Sequence, residues 1–238
     1  MKFTNPPKVF YSLTGIILLL LILNIASYFH FFLNDLTPRD YFFRKTNFNI
    51  EKNLPSIFAG VLHFIAAFYL ALIAKTDLKM EKTRVFWWAM SAIFIFLGLD
   101  EILRIHERIE GGATFFDETF SFFLYNWIVY YGIALIILGI IFIKPLLSLP
   151  RKTLYQFIAA GLIFVTGAIG IENLTGHIIS HHHLPESEII NSPLIFTLYT
   201  IEELLEMMGV AYFIYAMLRF LQLYKASAIP KRALTFSK

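Results

Sequence analysis

The sequence predicts an all-α integral membrane protein: one bundle of six transmembrane helices made from the whole of residues 1–238. Three observations lead there. The chain is 58% hydrophobic and only 16% charged, with a mean hydropathy of +0.65, a balance that soluble domains of this size rarely show. Apolar stretches near membrane-spanning length recur along the entire sequence and leave no room for a separate soluble domain. The cations lie mainly at the borders of those stretches, so the net charge of +3 bears on topology rather than on nucleic-acid binding. Cysteine is absent, which removes disulfides, thiolate ligands and cysteine nucleophiles.

The first span, about 11–33, follows Lys2 and Lys8 as a signal peptide would. Its hydrophobic part, roughly Leu13 to Phe32, is too long for one and predicts a retained helix. The second, about 55–74, opens on Pro55, tolerated in a helix's first turn. The third, about 85–107, runs from "VFWWAM" straight into "GLDEILRIHERIEGG". The fourth and fifth cover about 123–143 and 153–177. The sixth, about 194–218, starts after Pro193, with Asn191 and Ser192 as capping candidates. The 34–54 connection carries Asp35, Asp40 and Glu51 beside its cations, and its aromatic residues predict that it lies along the membrane surface. His181, His182 and His183 read as an exposed outer loop with incidental metal affinity.

Lysine and arginine set the orientation. With the N-terminus inside, the inner segments hold 14 of them and the outer side 6, namely Arg39, Arg44, Lys45, Lys52, Arg104 and Arg108. Both termini are therefore expected in the cytoplasm, with the protein in the inner (cytoplasmic) membrane, which agrees with an even number of spans.

Depth then separates the polar residues. At about 1.5 Å per residue, His63 and Glu206 come out roughly 17–18 Å above the inner border of a hydrocarbon core about 30 Å thick. Asp100, Glu101, Glu202 and Glu203 reach about 24 Å, and Asn126 and Glu172 about 25–30 Å, while His106, Glu107 and His177 fall near the outer border. The sixth span is the most telling. Its "YTIEELLEMMGV" carries Glu202, Glu203 and Glu206 with no cation nearby in sequence, and Glu202 and Glu206 share a helix face. An acidic residue at the centre of a membrane helix costs roughly 2.5 kcal/mol or more even on the mildest scales. These side chains must face the bundle interior, hold protons or meet cations. Around them stand Asp100, Glu101, Glu107, Glu110 and Glu172, with only Arg104 and Arg108 at that level.

Carboxylates with imidazoles and no thiolate favour zinc, iron or manganese. The expected ligands are Asp100, Glu107, Glu202, Glu206 and His63 or His106, with Glu172 or Glu203 as general base toward a metal-bound water or a lipid substrate from the outer leaflet. The third span alone also offers a self-paired polar cap, through Asp100–Arg104, Arg104–Glu107 and Glu101–Arg108 at helical pairing distance. No Glu-x-x-His or His-Glu-x-x-His occurs, and no nucleophile elbow, phosphate loop or dinucleotide fingerprint. The segments "LDEILRIHE" (99–107) and "IEELLEMMGVAYFIYAML" (201–218) resemble a pattern in uncharacterised bacterial multi-pass membrane proteins. That resemblance implies about six spans and names no reaction, substrate or cofactor. The leading expectation is a metal-binding membrane protein, plausibly an enzyme. The alternatives are a proton- or cation-translocating carboxylate relay and a structural subunit or assembly factor of a membrane complex.

Overall fold

The computed structural model describes residues 5–34, 37, 39–50, 52–76, 81–110, 125–182, 189 and 192–228. Among these there is no strand, and the order is α1 (Pro6–Leu33), α2 (Tyr41–Thr46), α3 (Leu54–Thr76), α4 (Glu81–Leu103), α5 (Ile105–Glu110), α6 (Asn126–Leu147), α7 (Arg151–Val165), a π-helical turn (Thr166–Ile171), α8 (Glu172–His182) and α9 (Pro193–Ala228). Six helices are long and apolar enough to cross a membrane. They match the six predicted spans, with two breaks that the hydropathy pattern does not carry.

The first break interrupts the third span. The sequence reading ran it unbroken to residue 107, whereas Arg104 takes a left-handed φ of 59° and separates α4 from α5. The second is the π turn in the fifth span. One extra residue in a turn rotates everything after it by about 100° relative to a continuous α-helix. Where α9 begins, Ser192 Oγ accepts from the Ile195 amide at 3.3 Å, the capping role expected of it; Asn191 lies outside the described residues.

α9 is the central helix, packed against α1, α3, α7, the π turn and α8. Its approach to the fifth span depends on two glycines. A Cβ at Gly167 would stand 2.7 Å from the Glu202 carbonyl oxygen, and one at Gly209 within 3.0 Å of the Phe164 backbone. α3 and α4 meet the same way, where Gly60 and Gly98 each face the other's carbonyl oxygen at 3.0 Å from a built Cβ. Small residues at such crossings let membrane helices gain dispersion contact, since lipid supplies no hydrophobic force to drive them together. α6 packs chiefly on α4 and α5. It turns Ile136, Ile140 and Ile141 outward, as a lipid-facing surface requires.

At the end of the bundle where α1 begins and α9 ends, the core is mainly apolar, with Thr83, Ser91 and Thr153 as buried polar members. Leu70, Ile73, Trp87, Phe157, Val210, Phe213, Ile214, Met217 and Leu221 are all buried there. At the opposite end residues 40–50 and 52–53 fold back onto the bundle. Phe43 is buried and stacks on Phe31 at 4.4 Å, and Phe48 is buried as well. Polar bonds fix it. Asn24 Nδ2 donates to Thr200 Oγ1, and Asn24 Oδ1 accepts from the Phe48 amide, both at 2.9 Å. Asn47 Nδ2 donates to Tyr199 Oη at 2.9 Å, and Asn53 Nδ2 to the Asn47 carbonyl at 2.6 Å. Each bond satisfies a group that could not otherwise be buried without cost.

Candidate functional site

The breaks and the folded-back segment meet around one cavity of about 450 Å³. α4 contributes Asp100 and Glu101, α5 His106, α8 Glu172, and α9 Glu202, Glu203 and Glu206. Phe48, Asn49 and Ser56 line it from the connection and the start of α3, and Tyr125, Trp127, Tyr131, Phe164 and Tyr199 supply further aromatic wall. Six carboxylates and one imidazole therefore converge, and no Lys or Arg is among the described lining residues.

Asp100 is the best-anchored of the six. Only 6% exposed, it accepts at Oδ2 from Tyr131 Oη at 3.0 Å and at Oδ1 from the His106 backbone amide at 2.8 Å. The His106 ring pairs with the same oxygen, Nδ1 standing 3.2 Å away. This geometry requires the left-handed residue at 104, which folds the chain so that His106 returns over Asp100. On an unbroken helix, residues six apart lie on different faces and about 9 Å apart along the axis. His106 in turn lies against Trp127, ring centroids 5.2 Å apart, and Trp127 packs edge-on to Tyr131 at 5.3 Å. Trp127 Nε1 donates to Glu172 Oε1 at 3.2 Å, so α6 holds the carboxylate that the π turn has rotated into the cavity.

Glu202 and Glu206 differ from Asp100. They sit one helical turn apart on α9, and no hydrogen bond or ion pair from the described residues reaches either carboxylate. Glu206 is half-buried in the cavity wall, and Glu203, Glu101, Glu202 and Glu172 are all near enough to repel it. Its Cγ would lie 3.1 Å from a Cβ at Gly167, so the glycine makes the space that this side chain uses.

The residues named in advance divide as follows. Asp100, His106, Glu172, Glu202, Glu203 and Glu206 all line the cavity. His63 does not. Its Nδ1 bonds the Ala59 carbonyl at 2.9 Å, and its buried ring lies between Phe94 and Phe164, at 5.9 and 5.8 Å. The side chains of Glu107, Glu110, Asn126 and His182, and all of His183, lie outside the described residues. Among those described, no three His, Asp or Glu side chains form a group that could hold a metal ion. The carboxylates thus surround a space instead of converging on a point. Tyr125, Trp127, Tyr131 and Tyr199 were not anticipated. In a chain with 12 Tyr and 26 Phe, aromatic residues near span ends read as ordinary interfacial belts.

Comparison with curated proteins and with solved structures gives no match. A family model does match, over residues 16–220, and it takes in four of the six spans whole, most of the first and the last, and the cavity lining. The chain belongs to the family described as Domain of unknown function (DUF8692), in keeping with its resemblance to multi-pass proteins that carry no assigned reaction.

Proposed function

We propose that this is an inner-membrane protein, with both chain ends in the cytoplasm, that binds a cation in the cavity from the outer side. The observation that carries the reading is the lining: six carboxylates and one imidazole around about 450 Å³, with no described Lys or Arg among them. Carboxylates packed together away from bulk water repel one another strongly, because the local dielectric is low. A cation in the middle offsets that repulsion at all of them at once. On this reading Glu202 and Glu206 are the principal binding groups. Glu101, Glu172 and Glu203 supply the surrounding field, and Asp100 is a fixed wall group oriented by Tyr131 and His106.

A divalent metal remains one occupant of this chemistry, with Glu172 or Glu203 then serving as base toward a metal-bound water. Its ligands would have to draw inward from the cavity wall. Translocation is less well supported than binding. The buried residues beyond Glu206, from Met207 through Val210, Ile214, Met217 and Leu221, form an apolar floor with Leu70, Ile73 and Phe157. A proton relay would need titratable groups there, and the buried polar side chains described on that side, Thr83, Ser91 and Thr153, are hydroxyls. The test is cation binding to untagged protein in nanodiscs, followed by thermal stabilisation. Glu202→Gln and Glu206→Gln should each weaken binding about tenfold, on the scale of one lost charge-assisted contact. Asp40→Asn, at the N-cap of α2 and away from the cavity lining, should leave binding unchanged. If neither metal nor organic cations stabilise the wild-type chain, the reading is wrong.

A further inference from the structure

We infer that the cavity selects a substituted ammonium ion, a positively charged nitrogen carrying hydrocarbon groups, over a bare metal ion. This rests on the cation-binding reading above and names the ligand class for the same site.

Three features point the same way. The first is size. About 450 Å³ lies within the range of small-molecule pockets, and far exceeds what one ion with its ligands fills. The second is the arrangement of the acids. They stand around the space, and no described three converge as metal coordination at about 2 Å demands. A bulky ammonium ion has its charge spread over a larger radius and needs no such convergence. The third is the wall. Phe48, Tyr125, Trp127, Tyr131, Phe164 and Tyr199 place six aromatic rings on the same cavity as the carboxylates. Aromatic faces attract cations through their quadrupole, and they suit an alkylated cation, which sheds its water readily. A hydrated divalent ion gains little from them. Trp127 and Tyr131 are held edge to face by their bonds to Glu172 and Asp100, so this part of the wall is rigid before a ligand arrives.

Division of labour follows. Glu202 and Glu206, half-buried in the cavity wall and unbonded among the described residues, supply the charge that draws the ion in. The rings supply the discrimination between ammonium and metal. The same chemistry is offered by a free amine from solution and by the cationic head of an amphiphile in the outer leaflet, and chain length separates the two.

The experiment uses the full chain, without a polyhistidine tag, in nanodiscs of phosphatidylglycerol. The probes are tetramethylammonium, dodecyltrimethylammonium, sodium, manganese and zinc, read by Trp fluorescence and by melting temperature. Tetramethylammonium should bind saturably and at least about tenfold more tightly than sodium. Trp127→Leu should weaken it about five- to thirtyfold, the range expected for one cation–aromatic contact away from water, and should weaken any manganese binding by clearly less, since there only the bond that holds Glu172 is lost. Glu206→Gln should weaken both. A gain in affinity for the dodecyl probe beyond its partitioning into empty nanodiscs would assign the ligand to the membrane, and its absence would assign it to solution. Tyr131→Phe, which keeps the ring, serves as a second variant should Trp127→Leu fail to fold, and it should retain selectivity for ammonium over sodium. Binding of metals alone, sensitive to Glu206→Gln, would overturn this inference and leave the cation-binding cavity standing. Binding of neither class would end both.

Discussion

The crossing of the fifth span over α9 offers the sharpest mechanical test, through Gly167→Ala. A methyl group there would stand 2.7 Å from the Glu202 carbonyl oxygen, 3.1 Å from Glu206 Cγ and 3.1 Å from Leu205 Cβ. The shortest of these contacts is to backbone, so no side-chain rotation relieves it; α9 and the π turn must move apart. Overpacking of this kind costs about 1–3 kcal/mol. Alanine's better helix propensity returns about 1 kcal/mol, which leaves a net loss of up to about 2 kcal/mol. Gly161→Ala is the matched control: it lies on the same span, and a Cβ there meets nothing within 4 Å, so it should be neutral or stabilising. Reversible unfolding in mixed micelles with increasing dodecyl sulfate would measure both. Cation binding would fall in Gly167→Ala as well, since the displaced backbone carries Glu202 and crowds Glu206. Equal stability of Gly167→Ala and Gly161→Ala would refute the close crossing and the placement of the two glutamates with it.

Two further outcomes follow from the polar end of the bundle and from its orientation. Asn24→Ala removes the partner of both Thr200 Oγ1 and the Phe48 amide, and should cost about 1–3 kcal/mol for the buried groups left unpaired. Hydrogen exchange at the amides of 47–53 should rise while exchange in α9 beyond Val210 stays slow; uniform loss of protection would mean that the segment is not separately fixed. In this chain without cysteine, Ser148→Cys and Asn34→Cys both place a thiol at an exposed position, at opposite ends of the bundle. A membrane-impermeant thiol reagent applied to intact cells should label the second and spare the first; the reverse would invert the orientation inferred from the cation balance.

The spans were legible because hydropathy acts over about 20 residues and averages out local detail. The carboxylates were legible for a related reason: a bare acid inside a span has few explanations, and depth along each helix could be counted. What the residue pattern could not carry is the rotation about each helix axis. That rotation is set by the left-handed residue at Arg104 and by the π turn at 166–171, and neither has a compulsory residue type. Arginine is not a usual left-handed residue, and the only sign of the π turn is the run of small residues "TGAIG". The third span is expected to run unbroken to residue 107; α4 ends before Glu107, which falls on α5. His63 is placed differently. Its depth matched Glu206, but depth alone cannot say which way a ring turns, and here it packs among Phe rings and the Ala59 carbonyl.

The uneven anchoring of the six acids bears on what the cavity does. Asp100 spends both oxygens on protein donors, and Glu172 at least one. Were all six held in that way, the cluster would read as a self-sufficient polar core whose purpose is to fix the fold. Glu202 and Glu206 break the pattern. They occupy adjacent turns of the most central helix, at a crossing close enough to exclude even a methyl group at Gly167, and their carboxylates meet no described donor. A sequence selected for stability alone could place Leu or Gln at either position without disturbing the helix. Neutralising one acid by Glu206→Gln should therefore raise the melting temperature of the ligand-free protein while it weakens cation binding, the opposing changes expected of a residue kept for a ligand rather than for the fold. A lower melting temperature in Glu206→Gln, with cation binding intact, would instead assign Glu206 to the structural core.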